Sequence, residues 1–133
     1  MDPFPLPVTA WAAALLGFLH VALTMQVVFA RRMGKVALGT GGNREIEMKI
    51  RAQGNAAEQI PLGLILLALA ELLTASWTVV LQAVLLVSGR YIHGTLFNRI
   101  NRPALVRPFG MVPTLAAHLM GSITIIVTLV GGG

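Results

Sequence analysis

The sequence predicts an all-α integral membrane protein: one domain over residues 1–133 folded as an up-down four-helix bundle. Three observations predict it. Of the 133 residues, 56% are hydrophobic and only 11% are charged, with mean hydropathy +0.78. A soluble domain usually carries about 25% charged residues. Four stretches, near residues 7–30, 52–73, 76–97 and 109–130, each reach the roughly 20 residues that a bilayer-crossing helix needs. The cations gather between the first and second and between the third and fourth of these stretches, and not at the other end of the bundle.

The first span begins at Pro7 and stops at Arg31-Arg32. It is too long for a signal-peptide core, and Met1-Asp2-Pro3 lacks a basic leader, so it is expected to stay uncleaved. Residues 31–44 hold Gly34, Gly39, Gly41 and Gly42 and read as a loop. A second helical pattern runs from about Glu45 to Leu73, and a third from Ser76 to about Phe97. Asn98 to Pro108 is a basic turn with two prolines. The fourth span ends in the glycine tail 131–133. With four spans, loops 1 and 3 share one side, and both termini lie on the other. Arg31, Arg32, Lys35, Arg44, Lys49, Arg51, Arg99, Arg102 and Arg107 all fall on the loop side, which the positive-inside rule makes cytoplasmic. Trp11 and Trp77 mark the opposite interface, and Glu71, near it, is expected to be solvated.

Several function classes drop out early. Without cysteine there is no disulfide scaffold, Cys-ligated zinc or cysteine nucleophile. His20, His93 and His118 sit on three different helices with no ligand spacing within any of them, so no metal site is expected. The pI near 11 reflects topology rather than nucleic-acid binding.

The second helix is the chemically informative one. Its uninterrupted apolar run, Ile60 to Ala70, is only eleven residues long. A span of about 20 residues must therefore reach back to Gly54, which draws Asn55 and Glu58 into the membrane. Ionisable groups there are costly and mark function by default. Arg51, Asn55 and Glu58 at i, i+4, i+7 lie on one stripe, with Gly54 beside it leaving room for a ligand or a helix. Pro61 is expected to kink the helix just beyond. On the third helix, Arg90, His93 and Phe97 share a face, with Tyr91 to its side. Glu58 and Arg90 both lie roughly 9–11 Å from the cytoplasmic ends at about 1.5 Å per residue, which predicts a buried Glu58–Arg90 ion pair with Asn55 bonded into it. This pair is either a bundle-core scaffold or a direct ligand contact. The cationic recess suits an anionic, water-soluble ligand arriving from the cytoplasm, and the apolar helix surface beside it suits a lipophilic second substrate.

The stretch Arg51-Ala52-Gln53-Gly54-Asn55-Ala56-Ala57-Glu58-Gln59-Ile60-Pro61 resembles the second-helix signature of the MAPEG family, the membrane-associated proteins in eicosanoid and glutathione metabolism. Gly89-Arg90-Tyr91-Ile92-His93-Gly94 resembles the family's patch on the third helix, and the glycine-rich first loop looks most like that of bacterial members. The resemblance implies a homotrimer in a bacterial inner membrane, with glutathione as co-substrate bound between protomers near the cytoplasmic face. It assigns Arg51, Asn55, Glu58, Arg90 and His93 to glutathione, and Arg107 to catalysis opposite the glutathione sulfur. It implies a transferase, with peroxidase activity as a further capacity, acting on lipophilic electrophiles. Gly54 stands where some members carry a second arginine, and Phe97 and Met111 where tyrosine is frequent. These differences remove a carboxylate ligand and a hydroxyl donor to the thiol. Two other classes compete: a non-catalytic relative that binds an anionic thiol or lipid, and a small four-helix multidrug transporter. Such transporters place their key acid on the first helix, where this chain has only His20 and Gln26.

Overall fold

A computed structural model describes residues 5–97 and 108–132. Four α-helices account for nearly all of them: α1 (Pro7–Met33), α2 (Arg44–Leu73), α3 (Trp77–Phe97) and α4 (Pro108–Gly131). α1 runs three residues beyond its expected end. α2 begins at Arg44, so its first turns precede the apolar stretch. Asn43 starts α2 as the sequence chemistry requires. Its side chain accepts from the amides of Glu45 (2.9 Å) and Ile46 (3.3 Å), with both acids of the first turn at the positive end of the helix dipole. Pro61 does not end α2, which continues unbroken to Leu73.

Neighbouring helices alternate in direction. Leu86 meets Gly63 and Arg90 meets Asn55, so α2 and α3 are antiparallel, and His93 against Gly110 with Gln82 against Gly121 makes α3 and α4 antiparallel as well. α3 packs on all three other helices. The core is built from residues three and four apart. Leu16, Leu19 and Leu23 of α1 meet Ala52, Ala56 and Ile60 of α2, with Leu86 and Ala117 between them. Nearer the α2–α3 turn, Ala12, Leu67, Ala70, Val79 and Ala83 form a second cluster. Small residues let the helices approach. A Cβ on Gly110 would lie 2.5 Å from the His93 backbone nitrogen, and one on Gly89 would lie 2.7 Å from Thr114 Oγ1.

The outside of the bundle is as apolar as the inside. Phe18, Ile65, Leu119, Ile123 and Ile126 all face outward, as do Trp11 and Trp77 at the far end. α1, α2 and residues Phe109–Gly131 are each long and apolar enough to cross a membrane. The chain is an integral membrane protein.

Glu71 corrects an expectation. Rather than being solvated, its carboxylate reaches across to the start of α1. It accepts from Val8 N at 2.8 Å, Thr9 N at 2.7 Å and Thr9 Oγ1 at 2.6 Å. Leu6 caps α1 with no side-chain bond, so the first turn needs an acceptor from elsewhere. Pro7 has no N–H, and Ala10 N bonds Leu6 O at 2.9 Å. Together with the Glu71 contacts, this leaves every amide of that turn accounted for.

Candidate functional site

At the end of the bundle opposite Glu71, Arg51, Gly54, Asn55, Glu58 and His93 line a recess of about 280 Å³. Helical geometry explains the grouping. Ala52 and Ala56 are buried against α1, which turns Arg51, Asn55 and Glu58 to the rim. His93 is buried and comes from α3, which Gly110 allows to sit close to α4. A Cβ on Gly54 would meet nothing within 4 Å, so packing does not demand glycine there. The position contributes open space to the recess instead.

Arg90 lies directly behind the lining and is 1% exposed. Its Nη1 donates to Asn55 Oδ1 at 2.7 Å and its Nε to Thr114 Oγ1 at 2.8 Å. Nη2 reaches Gly110 O at 3.4 Å and Met111 Sδ at 3.3 Å. Thr114 Oγ1 itself donates to Gly110 O at 3.0 Å, which closes the network. These four partners of the guanidinium are all neutral. A buried positive charge therefore stands at the back wall, where its field is less screened than at the surface.

The expected Glu58–Arg90 ion pair is not formed. Glu58 faces outward with Ala57, Pro61 and Leu62, and among the described residues it bonds to no cation. Equal depth on two helices does not fix direction. Asn55, three residues earlier, is rotated by about 60° from Glu58 and occupies the position facing α3. Asn55 bonds to Arg90 as expected, but in the place assigned to the acid, while Glu58 borders the recess.

Arg51 reaches the recess from an exposed tether. Its Nε and Nη2 both meet Glu47 Oε1 at 2.9 Å, an i, i+4 pair absent from the sequence expectations although its spacing is readable there. Thr114 and Gly110 were also missed. Their i, i+4 placement on α4 opposite Gly89-Arg90 carries no charge and so gave no signal. Met111, singled out for the tyrosine it replaces, packs its sulfur on Arg90. Arg107, together with Arg99 and Arg102, lies outside the described residues, as does the Phe97 side chain. Tyr91 points the other way and donates to Leu15 O at 2.8 Å, which ties α3 to α1. His118 is buried in the core.

The sequence matches those of known proteins over most of its length. Over 114 residues the chain is 36% identical to the inner membrane protein YecN of Escherichia coli K12, covering 85% of this chain and 86% of that one. The YecN protein of E. coli O6:H1 strain CFT073 matches to the same extent. Residues 9–127, a span that includes all six residues of the recess and its back wall, match the MAPEG family. The chain belongs to the MAPEG family.

Proposed function

We propose that this protein is a glutathione-dependent membrane transferase that joins glutathione to lipophilic electrophiles, working as a homotrimer with loops 1 and 3 in the cytoplasm. One observation carries the reading: a carboxylate with no partner among the described residues borders a recess backed by a buried guanidinium, on the outward face of a membrane helix. Left against lipid, Glu58 would be costly. A neighbouring protomer covering the recess removes that cost, and a zwitterionic tripeptide supplies the missing charges. Glu58 takes the ammonium of the γ-glutamyl group and Arg51 a carboxylate, with charge-assisted hydrogen bonds to both. Asn55 offers its amide, held in place by Arg90. His93 lines the wall, and Arg90 contributes a positive field from one layer back.

Arg107 is assigned to the thiol. A free thiol is a weak nucleophile near neutral pH, and a guanidinium beside it favours the thiolate. Each unit of lowered pKa corresponds to about 1.4 kcal/mol of differential stabilisation. The thiolate sulfur forms a bond to the electrophilic carbon, the leaving group departs with its electron pair, and the thiol proton passes to solvent. The apolar outer surface delivers the electrophile from the bilayer.

The test is conjugation of glutathione to a chloronitrobenzene by purified protein. Turnover should be lost in Arg51→Ala, Glu58→Gln and Arg107→Ala while the trimer persists in size-exclusion light scattering. A wild-type protein that neither binds nor turns over glutathione overturns the proposal. Proton-coupled drug export blocked by Glu58→Gln would put a transporter in its place.

A further inference from the structure

A second pocket, of about 440 Å³, lies at the end of α1 and is lined by Val28, Arg31, Arg32, Lys35, Val36 and Ala37. Its three cations meet no carboxylate among the described residues, whose four acids all lie elsewhere. Glu45 pairs with Lys49, Glu47 with Arg51, and Glu71 caps α1 at the far end, while Glu58 borders the recess. Arg31 Nε is buried with no hydrogen-bond partner. Buried polar groups are normally satisfied, and a charged donor without an acceptor is the costlier case.

The backbone adds a second, independent observation. α1 closes with Val36 N bonded to Arg31 O at 3.0 Å and Lys35 N to Arg32 O at 3.2 Å, the paired bonds of a Schellman turn. The residue such a turn holds in the left-handed region is usually glycine. Here it is Lys35, at φ +53°, although Gly34 is its immediate neighbour. That conformation is unfavourable for a side-chain-bearing residue, and Lys35 in it lines the pocket together with Arg31 and Arg32.

We propose that this pocket binds the headgroup phosphate of an anionic phospholipid. The cations supply charge-assisted bonds to the phosphate oxygens at the depth where a spanning helix leaves the membrane. Val21, Met25 and Val28, all outward-facing at i, i+4 and i+7, continue from the pocket along α1 as a track for an acyl chain. This inference does not depend on the glutathione site.

The experiment is retention from an equimolar mixture of phosphatidylglycerol and phosphatidylcholine, read by native mass spectrometry of protein purified in neutral detergent. Wild type should retain phosphatidylglycerol preferentially, and Lys35→Gly should cut that preference about five-fold, the effect of one cation near an anionic lipid. Glycine suits the turn, so the Lys35→Gly variant should melt no lower than wild type. The pair Arg31→Gln/Lys35→Gly should abolish most of the preference, and Arg32→Gln gives a further single-charge comparison. The proposal is overturned by equal retention of the two lipids in wild type, or by a preference that survives the double variant. Displacement by glycerol phosphate at matched concentration would instead assign the pocket to a soluble anion and overturn the lipid.

Discussion

The two ends of the bundle treat a carboxylate of α2 in opposite ways. At one end Glu71 of α2 accepts three hydrogen bonds from the first turn of α1, and every amide of that turn is accounted for within the chain. At the other end Glu58, on the same helix, bonds to no cation among the described residues. The nearby guanidinium of Arg90 is taken up by Asn55, Thr114, Gly110 and Met111. A charge whose partners all lie within its own chain holds the fold together. A charge left open beside a recess is available to something from outside. The comparison separates scaffold from site more sharply than depth in the membrane does, because both acids lie on one apolar helix.

Replacing Arg90 should break the recess end most severely. Arg90→Leu removes donors from Asn55, Thr114 and Gly110 together and leaves buried acceptors unmet, at a cost of about 3 kcal/mol or more. Denaturant unfolding in detergent should register it. Because Asn55 loses its anchor, glutathione affinity should fall as well. An Arg90→Leu protein of unchanged stability would show that the network does not hold α2, α3 and α4 together.

At the closed end, Glu71→Ala should cost about 2 kcal/mol, within the range of a lost helix cap with charge-assisted bonds, and Glu71→Gln about half of that. Neither should alter glutathione affinity once measured on folded protein. Hydrogen exchange at Val8 and Thr9 should rise in both variants. If it does not, the cap is not what fixes the start of α1.

Glu58→Gln tests the other side of the comparison. Its stability should stay within about 0.5 kcal/mol of wild type, as for a residue with no internal partner. Glutathione affinity should fall by about ten-fold or more, since a charge-assisted bond to an ammonium is worth about 1.5–3 kcal/mol. A Glu58→Gln protein that unfolds easily but binds normally would turn the comparison round and make Glu58 a scaffold residue.

How much of this was legible in the sequence follows from what each signal encodes. The four helices and their order were readable, since hydropathy, loop glycines and cation placement act locally along the chain. Arg51, Asn55 and Glu58 could be set on one face because 3.6 residues per turn fixes their relation within a helix. What failed were relations between helices. Depth can be counted from helix ends, but the azimuth that sends Asn55 to α3 and Glu58 outward depends on how Ala52 and Ala56 pack. Glu71 was misjudged for the same reason, because its partner is the uncapped start of another helix. Thr114 and Gly110 were invisible because neutral small residues acquire meaning only opposite Arg90.

The smallest effect concerns Arg51, which stands between the two behaviours: it lines the recess, yet it is paired with Glu47 on the exposed first turns of α2. An exposed pair of this kind contributes only about 0.3–0.5 kcal/mol, so Glu47→Gln should barely change stability. It should change the electrostatics at the mouth. Removing the acid leaves the Arg51 charge unopposed, and affinity for an anionic ligand should rise about two-fold at low salt. That gain should vanish near 1 M salt, where the screening length shrinks to about 3 Å. A fall in affinity that persists at high salt would have a different meaning. Glu47 would then be holding the guanidinium in its binding position, and the outer turn of α2 would belong to the site rather than to the surface.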